Sequence, residues 1–460
     1  MPIIAAYVLP HPPIVVPEVG KGEERKIENT ASAFRSVAKE INVFKPDTLV
    51  ITSPHSIMYA DYFHISPGDK AKGDFSRFGV RGAEISVKYD AEFVRCLGKS
   101  AAAADISAGS SGEKDKSLDH GALVPLYFVN KEFSDYAVVR AGISGLDPLE
   151  HYKFGKLIAA VTEELNRRVV FIASGDLSHK LKNSGPYGFA PEGPEFDKKL
   201  TDALSEGDFL KLLTFDPKLS DAAGECGLRS FMIMAGALDG KAVDSALLSY
   251  EGTFGVGYAV CAFKVKGSDP ERRFDLRFNE INRKVLEDTK GREDTYVRLA
   301  RQAAEYYVKI GSNLPLPDGL LPEMLSRKAG VFVSCKKRGM LRGCIGTIAP
   351  ITGSIAEEII RNARSSVAED PRFNPVERNE LALLTYSVDI LEEPEDTEFY
   401  ALDPEKYGVI VTSGRKRGLL LPNLEGVDTA EKQVEIALQK AGISISEKYT
   451  LQRFEVTRHK

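Results

Sequence analysis

The sequence predicts an α/β N-terminal domain, in which a mixed central sheet is flanked by helices, followed by a smaller α+β domain. Three observations carry this. Residues 1–266 alternate short apolar runs of strand length with longer amphipathic stretches. Three of those runs, IIAAYVLP, DTLVITSP and RRVVFIASGDLS, are each followed by a histidine (His11, His55 and His179), and strand ends are where open α/β sheets collect their chemistry. Gly267–Ser268–Asp269–Pro270 is a turn signal, after which charge density rises through residues 271–301. The reading is therefore a domain over 1–266, a linker over 267–274 and a second domain over 275–460.

Taken in order, a first strand ends near Pro10 and leads into the turn-rich HPPIVVPEVG. A helix over about Glu23–Phe44 precedes a strand from Thr48 into Pro54. Tyr136–Gly142 reads as a strand, Pro148–Arg167 as an amphipathic helix and Val169–Ser174 as a strand, the order expected of an α/β domain. Gly252–Val265, rich in β-branched and aromatic residues, closes the first sheet. Beyond the boundary, Thr295–Ile310 reads as a helix and the proline-interrupted Asn313–Leu321 as irregular. Gly330–Cys335 is a strand, Gly353–Ala368 a helix, Glu380–Leu391 a strand, Gly408–Leu421 a hairpin and Thr429–Ala441 a last helix.

The chain has 460 residues, 43% of them hydrophobic, ample for two cores. A formal charge of −5 with no basic half argues against nucleic acid as a partner. No apolar run reaches the roughly 18 residues of a membrane span, and the N-terminus lacks a signal peptide's basic region and cleavage site. Five cysteines (Cys96, Cys226, Cys261, Cys335 and Cys344) without CxxC spacing fit neither a disulfide framework nor a zinc ribbon. A reducing cytoplasm is the expected compartment.

Six of the seven histidines fall before residue 180, so the chemistry is expected in the first domain. Two imidazoles and a carboxylate make a facial triad that leaves coordination positions open, suited to non-haem Fe(II). The segments LPHPP at His11, SPH at His55, DHGALVPLYF at His120, SGDLSH at His179 and AGECGLRSFMIMAGAL at Glu225 resemble the class III extradiol ring-cleaving dioxygenases and the related Memo family. That resemblance implies His11, His55 and Glu225 as metal ligands and His179 as the proton-transfer group. It also gives His120, beside Asp119, a hydrogen bond to oxygen or substrate, and Asp176 is placed to orient His179. Memo-type relatives carry a cysteine at the late ligand position, and Cys226 adjoins Glu225, so the pair compete for one role. A carboxylate favours Fe(II), whereas a thiolate favours a softer ion, with copper or zinc the alternatives. His64 and His151 read as surface or cap polarity.

In the second domain, LRGCIGT (341–347), ARSSVAEDPRFNPV (363–376), LTYSVDILEEPE (384–395) and GRKRGLLLPN (414–423) resemble the AMMECR domain family. Fused to a Memo-like domain, this resembles proteins of the AmmeMemoRadiSam system, which implies a radical-SAM protein partner. Alternation puts Arg342 and Cys344 on one face, where a guanidinium would lower the thiol pKa and make Cys344 a candidate nucleophile. Asp370–Phe373 and the basic Arg415–Arg417 hairpin are expected to join Arg342 in one polar cleft. The leading expectation is a dioxygenase-like enzyme acting with O₂ on a small catechol-like molecule. The alternatives are a metal-binding scaffold or a modifying enzyme using Cys344. A homo-oligomer fits either class.

Overall fold

In a computed structural model, residues 2–81, 84–112, 117–424 and 426–460 are described. They form two compact units, Met1–Asn279 and Glu280–Lys460. The division falls inside a helix, Phe274–Arg292, whose Phe274 and Phe278 pack into the first core. The stretch expected as a linker, 267–274, is ordered: it holds the end of a strand, a 3₁₀ turn at Pro270–Arg272 and the start of that helix.

Unit one contains strands β1 (Ile3–Leu9), β2 (Thr48–Ser53), β3 (Phe63–His64), β4 (Lys70–Gly73), β5 (Ile85–Tyr89), β6 (Ala108–Gly109), β7 (Ala137–Gly142), β8 (Val169–Ser174), β9 (Lys241–Glu251) and β10 (Tyr258–Ser268). Eight of them make one sheet in the order β4-β5-β7-β2-β8-β1-β10-β9, while β3 and β6 pair separately. The run from β5 to β1 is parallel, and antiparallel strands close both sides, giving the mixed sheet expected. Central parallel strands are covered on both faces, which explains their unbroken apolar sequences. Along β1, Ile3, Ala6 and Val8 enter one core, and Ala5, Tyr7 and Leu9 enter the other. Glu28–Phe44 and His120–Glu132 cover the second face; Ala91–Ala103, Pro148–Glu164, Glu192–Glu206 and Leu228–Ala237 cover the first.

Two glycines set how closely the helices approach. A Cβ on Gly155 would sit 1.9 Å from the Ile233 carbonyl oxygen, and one on Gly236 would sit 1.9 Å from that of Tyr152. The helices Pro148–Glu164 and Leu228–Ala237 thus meet backbone to backbone. The turn at Glu225–Gly227 is held beside the end of β8, where the Cys226 N–H reaches the Asp176 carbonyl at 3.4 Å and a Cβ on Gly175 would sit 2.2 Å from the Gly227 Cα.

Unit two has strands β11 (Gly330–Lys337), β12 (Met340–Gly346), β13 (Leu384–Leu391), β14 (Glu395–Asp396), β15 (Gly408–Ser413), β16 (Lys416–Leu420), β17 (Thr450–Phe454) and β18 (Val456–His459). They form two four-stranded antiparallel sheets, β12-β11-β13-β18 and β14-β17-β15-β16. The helices Thr295–Ile310 and Ile355–Ala368 cover the first sheet, and Ala430–Ala441 covers the second. Leu391, Ile410, Leu419 and Phe454 fill the space between the sheets. Among the described residues, no helix is long and apolar enough to cross a membrane.

Candidate metal centre

Strands β2, β8 and β1 are parallel neighbours, so their C-terminal ends share one edge of the sheet. His11 and His55 follow two residues after β1 and β2, and Asp176 follows two after β8. The His11 Nδ1 lies 3.0 Å from Ser174 Oγ, and that hydroxyl donates its one proton to the Gly121 carbonyl at 2.6 Å. Ser174 must then accept from His11, which fixes the imidazole proton on Nδ1 and leaves Nε2 as a lone pair. That Nε2 faces His55 Nε2 at 2.9 Å and Cys226 Sγ at 3.7 Å. The three donor atoms all lie within 4.8 Å of one another.

Burial and crowding keep these imidazoles neutral. The His11 pKa is pushed well below the ordinary value by burial first and then by the charges of His55, His120 and His179. His55 is brought down to about 4, by burial and then by His120. Neutral imidazole is the form that ligates metal. Imidazole nitrogens from His11 and His55 and the Cys226 sulfur, converging on one point, are donor types that transition-metal ions take, so the residues present fit such an ion.

Glu225 does not join the cluster. Its Oε2 accepts the Leu228 N–H at 2.7 Å, capping the helix Leu228–Ala237, while Cys226 turns the other way toward His11. Adjacent residues in a turn point apart, and the helix N-terminus claims the carboxylate. Asp176 likewise departs from its expected place. Its Oδ1 accepts the His11 backbone N–H at 2.8 Å and its Oδ2 lies 3.8 Å from His11 Nε2, so it orients His11 and not His179. Burial raises its pKa to about 7, opposed by the His11 N–H.

His120 starts the helix His120–Glu132, and its ring stacks on His55 with centroids 4.0 Å apart. Asp119 caps that helix by accepting the Ala122 N–H, and it also accepts from Ser53 Oγ at 2.5 Å and Arg140 Nη1 at 3.4 Å. Ser53 and Asp119 therefore brace His55 and His120 together, a role the sequence motifs did not disclose. His179 lies within electrostatic range of His11 and His55, and its ring meets Tyr187 edge-on at 5.1 Å. Burial lowers its pKa. A cavity of about 730 Å³ opens beside the cluster, lined by His55, Lys72, Arg77, Phe78, His120 and Arg140 among others. His64 and His151 are fully buried, not surface residues; His151 Nδ1 donates to the Asp147 carbonyl at 3.0 Å.

In unit two, β12 carries a bulge: Cys335 pairs with Gly343 and Lys336 with Leu341, leaving Arg342 as the extra residue. Alternation is broken there, so Arg342 and Cys344 do not form the expected pair. Arg342 grips Glu380 through Nε (3.1 Å) and Nη2 (2.9 Å). The Cys344 thiol is pushed up by burial, with Ser334 and Arg372 opposing, instead of being lowered by Arg342. The Arg415–Arg417 hairpin belongs to the other sheet, where Arg417 lines a separate groove with Asp396, Glu398 and Gln452.

Residues 5–261 match the family described as the catalytic LigB subunit of aromatic ring-opening dioxygenase. The chain belongs to the LigB family. Residues 297–459 match AMMECR1, so a LigB domain is followed by an AMMECR1 domain. A protein of Clostridium acetobutylicum is 46% identical over 462 residues, covering 99% of this chain and 98% of its own length. A protein of Thermotoga maritima is 45% identical over 171 residues, covering 36% of this chain and 98% of itself. Among solved structures, an uncharacterized protein from Pyrococcus horikoshii is 33% identical over 35% of this chain and 88% of its own, with a TM-score of 0.34. One from Escherichia coli K12 is 15% identical, covering 56% of this chain and 99% of its own, with a TM-score of 0.38.

Proposed function

We propose that the LigB domain is a metal-dependent enzyme that oxidises a small catechol-like or enediol molecule with O₂, its metal held by His11, His55 and Cys226. The observation that carries this reading is the convergence of three donor atoms within 4.8 Å at one sheet edge, beside the 730 Å³ cavity. A redox-active ion bound there, Fe(II) or copper, supplies open coordination positions and electrons for O₂, whereas zinc would supply Lewis acidity alone. Ser174 holds the His11 lone pair in place. His120, stacked on His55 at the cavity wall, is positioned to hydrogen-bond a substrate oxygen. His179, kept neutral by burial, is in the form that accepts a hydroxyl proton. Phe78, whose ring centroid lies 5.7 Å from that of His120, gives the cavity an aromatic wall.

Cys226 favours a second reading, a metal-binding protein without ring cleavage, because a thiolate prefers softer ions than a carboxylate does. Anaerobic purification, metal analysis and O₂ uptake with catechol separate the two. Stoichiometric iron or copper with uptake that disappears in His11→Ala supports the enzyme. Bound metal with no uptake in the presence of catechols supports the second reading.

A further inference from the structure

In unit one the hydroxyls of four buried tyrosines each find a carboxylate or an amide: Tyr7 donates to Glu40 at 2.8 Å, Tyr152 to Asp239 at 2.6 Å, Tyr127 to Glu18 and Tyr136 to Asn130. Tyr258 breaks the pattern. It is 5% exposed and packed in the same core as Leu9, and its hydroxyl has no hydrogen-bond partner among the described residues. A phenol taken from water and bonded to nothing costs free energy, and packing alone would be served as well by phenylalanine.

The strand register places this hydroxyl at the metal centre. Tyr258 opens β10, which runs antiparallel to β1 with Val8 opposite Cys261; continued by three residues, that register sets Tyr258 beside His11. The preceding residue, Gly257, is bonded to the chain that links Asp176 to His179: its carbonyl accepts the Leu177 N–H and its N–H donates to the Ser178 carbonyl, both at 2.8 Å. A Cβ at 257 would sit 2.1 Å from the buried Asp197 carboxylate and 3.0 Å from Leu177 Cβ, so glycine is what permits this approach. Tyr258 is thus flanked by His11 and by the Asp176–His179 segment. Asp176, and Tyr187 whose ring meets that of His179, lie within electrostatic range of its phenol. Burial leads in raising the Tyr258 pKa, so the group keeps its proton and acts as a donor.

We infer that Tyr258 is a substrate-binding residue of the LigB site, its hydroxyl donating a hydrogen bond to the substrate oxygen from which His179 takes a proton. This rests on the oxidative reading proposed above and narrows it to substrates bound with one hydroxyl ionised. The proton passes from the substrate hydroxyl to His179, Tyr258 keeps its own, and the charge left on the oxygen faces the phenol O–H. A neutral donor on an anionic oxygen makes a stronger bond than the same donor on a neutral hydroxyl, so Tyr258 favours the ionised form.

4-Nitrocatechol, whose colour reports its ionisation, tests this on the full chain loaded anaerobically with the metal it co-purifies with. Tyr258→Phe removes one unpaired hydroxyl, so metal content and melting temperature should match those of the parent chain. The Kd of the probe should rise roughly 10–100-fold, and the bound probe should ionise at a pH higher by about one to two units. Equal Kd and equal ionisation in the two chains overturn the inference and leave the proposed activity standing. A Tyr258→Phe chain that loses metal or melts lower makes the hydroxyl a structural group and overturns it as well. A parent chain that holds metal but does not bind the probe overturns the proposed activity, and the role of Tyr258 with it.

Discussion

At the scale of single residues, the three-donor cluster of the proposed metal centre is held by side chains outside it. Ser174 sets the His11 tautomer by having only one proton to give, and Gly121 takes it. Replacing Ser174 with Ala frees the His11 ring to turn or to move its proton to Nε2, and metal affinity should fall by roughly 10–100-fold, as measured by competition with a chelator. His179 behaves differently, because it lies outside the three-donor cluster. His179→Ala should keep full metal content while O₂ uptake falls by roughly 10²–10⁴-fold; metal loss in that variant would make it a ligand. The histidines that follow strands were legible because strand ends announce themselves in sequence. Which of Glu225 and Cys226 faces His11 was not, since it depends on which neighbour bonds the helix N-terminus in the turn at 225–227, and residue type does not announce that.

At the scale of elements, the helices and strands with clear periodicity matched closely, including Val169–Ser174 and Thr295–Ile310. Among the strands the sequence reading did not mark are β3, β4, β5, β6, β9, β14, β17 and β18, which are short, lie at sheet edges or both. Their sequences carry mixed polar and apolar residues because one face or one edge is wet. The β12 bulge was equally invisible, and it moved Arg342 from Cys344 to Glu380. That exchange has a consequence for acid stability. Burial pushes the Glu380 carboxyl up, but hydrogen bonds from Arg342, the Glu377 backbone and Lys337 outweigh it and bring the group to about 2. The side-chain bonds from Arg372 lead in bringing Asp370 to about 2 as well. Carboxyl groups depressed in the folded state stabilise it above their unfolded pKa values and lose that contribution as pH falls toward their folded ones. The AMMECR1 domain should therefore lose on the order of 1–2 kcal/mol for each group between about pH 4.5 and 2. Glu380→Gln should flatten its share of that loss in denaturant titrations across this range.

For the whole molecule, each unit carries its own apolar clusters: Phe274 and Phe278 belong to the first, and the residues from Tyr296 onward build the second. The boundary was only partly legible, since a charged, turn-containing stretch reads as a linker even when it is a strand end and a helix packed on a core. If the metal belongs to the LigB domain alone, calorimetry should show two transitions, and added metal should raise only one, by about 2.7 kcal/mol at a free concentration of 100 times Kd. The central claim is that this metal is held by two imidazoles and a thiolate. The most direct measurement is the metal content of Cys226→Ser and Glu225→Gln, purified side by side under anaerobic conditions. Loss of stoichiometric metal in Cys226→Ser with retention in Glu225→Gln is the predicted result; retention in Cys226→Ser with loss in Glu225→Gln would contradict it.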